Sequence, residues 1–401
     1  MTKEQEEQEN NKQQEEVDPQ KIEQFISKVI NDLGATSNVA LAFIGDKLGL
    51  YKAMAQTKSG SGITSHELAS ITNTSERYIR DWLAGQVCGG YIKYDPKTDT
   101  YTLPKEHAIA LTDESSPAYV AGAFQLVMSA LKIEPKVTQA FRTGGGFDWS
   151  EHDPGFFEGQ ARFSGPNYKA NLVTNWIPSL DGVEEKLKRS GGGGGVGAKV
   201  ADIGCGYGIT TMIMAKTYPN STFYGFDYHT PSIQLARKQA EKEGLTVDRV
   251  KFEVGTATNF NGSSSSVADG YDLITFFDCF HDMPDPYSVA KHTRNALKPD
   301  GTCMIVEMAS NDKLEENMSS PLGRIGYTGS VFICVPTALA QRATGSSSSP
   351  YSSNTNYNAD IIPLGGMPGV SKIEKIMKES GFSKFRCTFN NGFNMVLEAK
   401  P

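Results

Sequence analysis

The sequence predicts an open α/β sheet closed by an antiparallel hairpin, preceded by a mainly helical winged-helix domain. Three observations carry this. VADIGCGYG at 200–208 reads as a buried strand, a tight glycine turn and a helix start. Strand and helix patterns then alternate from 199 to about 310, and Asn390-Asn391-Gly392 between two β-rich runs is a hairpin signal. Further forward, two helical patterns around a short turn lead into two β-rich runs around Asp95-Pro96.

Composition sets the frame. With 401 residues and 38% hydrophobic, the chain holds one large or two ordinary domains with a sizeable core. A net charge of −7 argues against a general nucleic-acid binder. No apolar run reaches the length of a membrane span, and the acidic, polar start resembles neither a signal nor a transit peptide. The six cysteines are scattered, so neither a disulfide framework nor a zinc site is expected, and reduced thiols in a cytoplasmic protein are.

In order, residues 1–20 are rich in Glu and Gln and too poor in hydrophobes to repay ordering entropy, which predicts a disordered acidic tail. Low-complexity runs at 191–197, 263–266 and 346–356 predict lengthened surface loops. Residues 21–114 make the winged-helix domain. It has helical spacing over 21–57, a capping box at Thr64–Glu67 opening HELASIT, the helix SERYIRDWLAGQV, and the wing strands 91–94 and 100–103. Glu76 and Asp81 beside Arg77 and Arg80 leave the second helix without a basic face, so dimerisation or covering an active site suits the domain better than DNA binding. Residues 115–185 predict connecting and capping helices, broken near Thr143-Gly144 and Asp153-Pro154, with Phe163, Tyr168 and Trp176 as core aromatics.

Residues 186–401 carry the sheet. After the first strand and the helix 209–218 come strands 221–227, 249–254, 271–277 and 302–308. Between them lie a helix capped by Thr230 and stopped at Gly244, and an amphipathic helix over 285–298. A second capping box, Ser371–Glu374, opens a helix that ends at Gly381, and KFRCTF and FNMVLEA form the hairpin. Open α/β sheets bind ligands at the carboxyl ends of their strands. That rule gathers the glycine turn, Asp227, Gly255-Thr256-Ala257 and Asp278–Met283 around one crevice.

The D-x-G-x-G-x-G spacing from Asp202 to Gly208 and the closing hairpin both depart from the dinucleotide fold of nicotinamide oxidoreductases. VADIGCGYG, the acidic GFD turn and the hairpin resemble instead the class I S-adenosylmethionine-dependent methyltransferases. With the front domain, the layout is similar to a bacterial-type subgroup with a winged-helix domain and to plant small-molecule O-methyltransferases. The resemblance implies a Rossmann-like seven-stranded sheet and S-adenosylmethionine as cofactor. It implies that Asp202, Gly204, Gly206 and Gly208 hold the amino-acid part and ribose region, and that Asp227 holds the ribose hydroxyls. Thr256 stands where the family often has an Asp on the adenine, with Ala257 beside it, and Asp278 faces the cofactor.

FFDCFHDMPDP at 276–286 is similar to the segment whose His is the general base in plant-like O-methyltransferases, with Met283 in place of a Trp. His281 matches that base, and Glu307 is a candidate for orienting it. No metal is implied. Residues 311–370 form an acceptor-side insertion whose apolar groups, with Arg324 and Tyr327, suit a buried aromatic or modestly polar small molecule. The expected function is methyl transfer to a small-molecule hydroxyl, with a homodimer as the implied assembly and neither nucleic acid nor membrane as partner. An N- or C-methyltransferase is the first alternative, and a catalytically inactive cofactor-binding winged-helix regulator is a second of another class.

Overall fold

The computed structural model describes residues 17–57, 62–189, 197–260, 270–343 and 363–401. The acidic tail up to residue 16 and most of the three low-complexity runs lie outside the described residues. Two compact units divide at Thr112/Asp113.

The first unit starts on a long helix, Pro19–Lys47, capped by the Asp18 carboxylate, so the helix begins inside the stretch expected as tail. Its C-terminal half packs on the unit. The Trp82 indole donates to the Leu41 carbonyl at 2.8 Å, and a Cβ on Gly45 would lie 2.5 Å from the Trp82 ring. Its N-terminal half leaves Ile22, Phe25, Ile26, Val29, Ile30 and Leu33 exposed. The expected capping box is formed: Thr64 accepts from the Glu67 amide, and Glu67 accepts from the Thr64 amide at 2.8 Å. Asn73 takes a left-handed conformation to end that helix, and Glu76–Cys88 follows. Strands β1 (Lys93–Asp95) and β2 (Thr100–Thr102) pair antiparallel as the wing.

The second unit holds a seven-stranded sheet. Its strands are β3 (Lys199–Ile203), β4 (Thr222–Asp227), β5 (Val250–Val254), β6 (Tyr271–Phe277), β7 (Leu297–Met308), β8 (Lys384–Asn390) and β9 (Asn394–Lys400). Their order is β5-β4-β3-β6-β7-β9-β8, with β3 to β7 parallel and β9 antiparallel to both neighbours. Strand side chains alternate between faces, which divides the core in two. Val200, Leu273, Met304 and Val396 pack with Met212, Trp176 and Leu172 on one face. Ala201, Ile274, Ile305 and Leu397 pack with Val289, Ile373 and Ile376 on the other. The order reverses between β3 and β6, which opens a crevice at their carboxyl ends.

Several element ends differ from expectation, each for a local reason. The helix Thr230–Lys242 is capped by His229, whose amide is held by Asp227, so Thr230 lies inside it. Ser371 does not cap Val370–Glu379 either: Gly369 is the cap residue, and the distant Asp312 takes the Ser371 amide at 2.8 Å. The helix expected over 285–298 ends at Ala296, and residues 297–301 belong to β7, whose pairing with β6 shifts register there. The hairpin joins through Asn391-Gly392-Phe393, one residue later than expected, because Asn390 belongs to β8.

Candidate active site

The glycine turn leaves β3 with all three glycines at positive φ: Gly204 at 68°, Gly206 at 51° and Gly208 at 74°. Such angles disfavour any residue with a Cβ. Space differs among them. A Cβ on Gly204 would meet the Cys279 sulfur at 2.8 Å, and one on Gly208 would meet the Phe252 ring at 2.5 Å. At Gly206 it would meet nothing within 4 Å, so the crest of the turn is bare backbone beside open space.

Two carboxylates hold this turn in place. Asp227, ending β4, accepts the Gly206 amide at 2.9 Å on one oxygen and the His229 amide at 2.8 Å on the other. Burial raises its pKa, and these two amides oppose the rise. Asp202 is 1% exposed and turns inward. It accepts from the hydroxyls of Thr210 at 2.7 Å, Thr211 at 2.6 Å and Thr275 at 3.0 Å, joining the turn to the next helix and to β6.

Burial pushes the Asp202 carboxyl up to about 6, with the three hydroxyls resisting. A carboxyl held above its unfolded value of about 4 contributes stability that is complete below that pH and lost as pH rises through the folded value. Asp202→Asn is therefore expected to reduce the fall in unfolding free energy between pH 4 and 6, where one such group contributes up to about 1.4 kcal/mol per pH unit. Denaturant melts across that range measure it, and an unaltered slope would refute it.

Beyond β6 the chain passes through Asp278, a non-glycine residue at φ 49°. Its carboxylate accepts the Tyr168 hydroxyl at 2.7 Å, and burial, reinforced by the Glu307 charge, pushes it up to about 6. A short 3-10 turn, Phe280–Asp282, then carries His281. The His281 Nδ1 donates to Glu307 Oε2, and the His281 amide donates to Glu307 Oε1 at 3.1 Å. Glu307 lies near the end of β7 and is 1% exposed. With Nδ1 tied to a carboxylate, Nε2 is the nitrogen left to take up a proton. It lies 3.2 Å from Asp282 Oδ1, with the Cys334 sulfur beside both. Burial alone would depress the imidazole; the charges of Asp282 and Glu307 outweigh it, leaving its pKa well above the usual histidine range.

Comparison with known proteins bears on this arrangement. Residues 195–331 match the family model described as a methyltransferase domain, and 36–113 match an Rv2258c-like winged HTH domain. Residues 195–331 thus carry a methyltransferase domain, and residues 36–113 a winged-HTH domain. A ubiquinone biosynthesis O-methyltransferase of Actinobacillus pleuropneumoniae is 37% identical over 123 residues, 30% of this chain and 48% of the relative. The chain thus spans about half the length of the curated relatives it matches. Among solved structures, an O-methyltransferase family protein of Burkholderia thailandensis superposes with a TM-score of 0.63 at 15% identity, over 94% of this chain and 97% of that one. Human N-acetylserotonin methyltransferase, solved with S-adenosylmethionine, gives 0.61 at 14%, over 96% and 99%. Both are likenesses of fold.

Within the methyltransferase domain, the expected site residues fall at the ends of β3 to β7. Gly206 and Asp227 lie together at the turn, with Gly255 bonded to the Asp227 carbonyl. Thr256 and Ala257 are buried just past β5, the threonine hydroxyl 3.3 Å from that of Thr258. His281 and Glu307 form a second group joined through the Glu307 carboxylate, and Asp278 lies close enough to feel the Glu307 charge. Sequence reasoning left two participants out. Tyr168, expected in the core, anchors the capping helix Pro154–Asn171 to Asp278. Cys334, on the wide turn Ser330–Cys334, brings the acceptor-side insertion against His281. Neither has a local signal, because each meets its partner across more than fifty residues of chain.

Proposed function

We propose that this chain transfers the methyl group of S-adenosylmethionine to the hydroxyl of a small, largely apolar molecule, with His281 as the base. The observation that carries this is the Glu307–His281 pair beside the glycine turn: a buried carboxylate fixes the tautomer and aims the other ring nitrogen at the insertion side. The names of the relatives, O-methyltransferases among them, support a hydroxyl acceptor.

The residues present fit the cofactor. Bare backbone at Gly206 admits close approach, and Asp227 stands at the turn as an acceptor for ribose hydroxyls. Gly204 and Gly208 shape that turn, with Asp202 supporting it from inside. Thr256 and Ala257 flank the adenine side, and Asp278 faces the cofactor. When bound, S-adenosylmethionine supplies an activated methyl on a cationic sulfur. His281 Nε2 takes the acceptor's proton as the oxygen is methylated, and Glu307 stabilises the resulting imidazolium. The helix Pro154–Asn171, held by Tyr168, and the insertion carrying Cys334 exclude water from the acceptor.

Calorimetry comparing S-adenosylhomocysteine with NAD tests the donor assignment. Binding of NAD without S-adenosylhomocysteine would overturn it. In the winged helix, Arg77 pairs with Asp81 at 2.7 Å and Arg80 with Glu76 at 2.9 Å, which supports a role other than DNA binding. Six free cysteines support a reducing, cytoplasmic setting, and no helix among the described residues is long and apolar enough to cross a membrane.

The exposed stripe on Pro19–Lys47 supports a homodimer. Phe25 is 65% exposed and Leu33 63%, within a continuous apolar face that a second copy would cover. The double variant Phe25→Asp/Leu33→Asp is expected to halve the mass seen by light scattering. A native chain that runs as a monomer at micromolar concentration would remove the dimer from the reading.

A further inference from the structure

We infer that His281, Asp282 and Cys334 form a binding site for a thiophilic divalent cation such as Zn²⁺, which occupies the nitrogen needed as base and so regulates the site. The inference rests on the proposed role of His281 for its regulatory meaning, but not for the binding itself.

The three ligand atoms, a ring nitrogen, a carboxylate oxygen and a thiol sulfur, all lie within 4.8 Å of one another. Bonds of about 2.0 Å to nitrogen and oxygen at tetrahedral angles place those two atoms roughly 3.3 Å apart. His281 Nε2 and Asp282 Oδ1 are 3.2 Å apart. Asp282 Oδ1 is buried and makes no geometric hydrogen bond among the described residues; it faces the imidazole as an ion pair, with the Cys334 sulfur beside both. Behind the ring, Glu307 accepts from Nδ1, the carboxylate–histidine support that orients metal-binding imidazoles. Three protein ligands leave a fourth position for water, an acceptor oxygen or another small ligand. Cys334 and His281 are both buried, so a cation held by them would be shielded from bulk water.

Binding balances simply. The Cys334 thiol and the His281 imidazolium each lose a proton to solvent, Asp282 binds as carboxylate, and His281 binds as neutral imidazole through Nε2. With that lone pair on the metal, Nε2 accepts no proton from the acceptor hydroxyl. Removing the cation restores the base.

The test uses the reduced full chain with Co²⁺ as probe, without donor or acceptor. A thiolate-to-cobalt charge-transfer band that saturates at one equivalent and is bleached by Zn²⁺ is expected. Cys334→Ser should abolish it, whereas Cys88→Ser/Cys387→Ser, which removes the two exposed thiols, should keep it. Asp282→Ala provides a second variant should Cys334→Ser fold poorly, and Glu307→Gln is expected to weaken cobalt by roughly tenfold or more. No band in the native chain, a band surviving in Cys334→Ser, or unaltered affinity in Asp282→Ala overturns the site. Because the spectrum needs no turnover, failure of methyl transfer leaves this result readable. Where transfer is observed, Zn²⁺ should inhibit it and a chelator should restore it; turnover insensitive to saturating Zn²⁺ overturns the regulatory role.

Discussion

His281→Ala is expected to lower kcat for a hydroxyl acceptor by about 10²–10⁴, the usual contribution of a positioned base, while affinity for S-adenosylhomocysteine stays near native. The two readouts separate loss of chemistry from loss of the donor site. The raised imidazole pKa adds a pH signature. A base works only when deprotonated, so the native rate should climb as pH rises above neutral. Asp282→Asn removes one of the charges that hold the proton, and should move that limb toward lower pH. Near-native turnover in His281→Ala would favour the nitrogen- or carbon-acceptor alternative, whose acceptor needs no strong base.

Asp227→Ala should have the second large effect, on binding. Hydrogen bonds to a charged group are worth about 1.5–3 kcal/mol each. Losing two to ribose hydroxyls corresponds to roughly a hundredfold or more in Kd. The same change frees the Gly206 and His229 amides, so the turn also loses its anchor. Calorimetry with S-adenosylhomocysteine reads the affinity, and a thermal melt without ligand reads the fold. An affinity within about threefold of native would remove Asp227 from the donor site.

What the sequence made legible was local. The glycine turn, the Thr64 capping box, the wing and the strand–helix alternation each arise within a few residues, where spacing reports conformation directly. His281, just past β6, and Glu307, near the end of β7, are both legible as candidates from their places after the strand patterns. What periodicity could not supply was direction and distant convergence. Asp202 is spent on three hydroxyls inside the protein, two of them from the helix after the turn. The Ser371 amide is taken by the distant Asp312, and the Tyr168–Asp278 bond joins positions 110 apart in sequence. Cys334 lies more than fifty residues from His281 and Asp282, so no ligand spacing could announce their meeting.

The register of β7 also acts as a ruler for the base. Glu307 stands opposite Met395 of β9, with Val306 opposite Val396 and Met308 opposite Asn394. Neighbouring strand residues face opposite sides of the sheet, so a slip of one position would turn the carboxylate away from the imidazole and set an apolar side chain in its place. Deprived of its orienting partner, His281 could choose either tautomer. Proton transfer at the crevice is thus indexed by the register of β7, which β6 holds on one side and β9 on the other, and a change that slips β7 would silence the base without touching it.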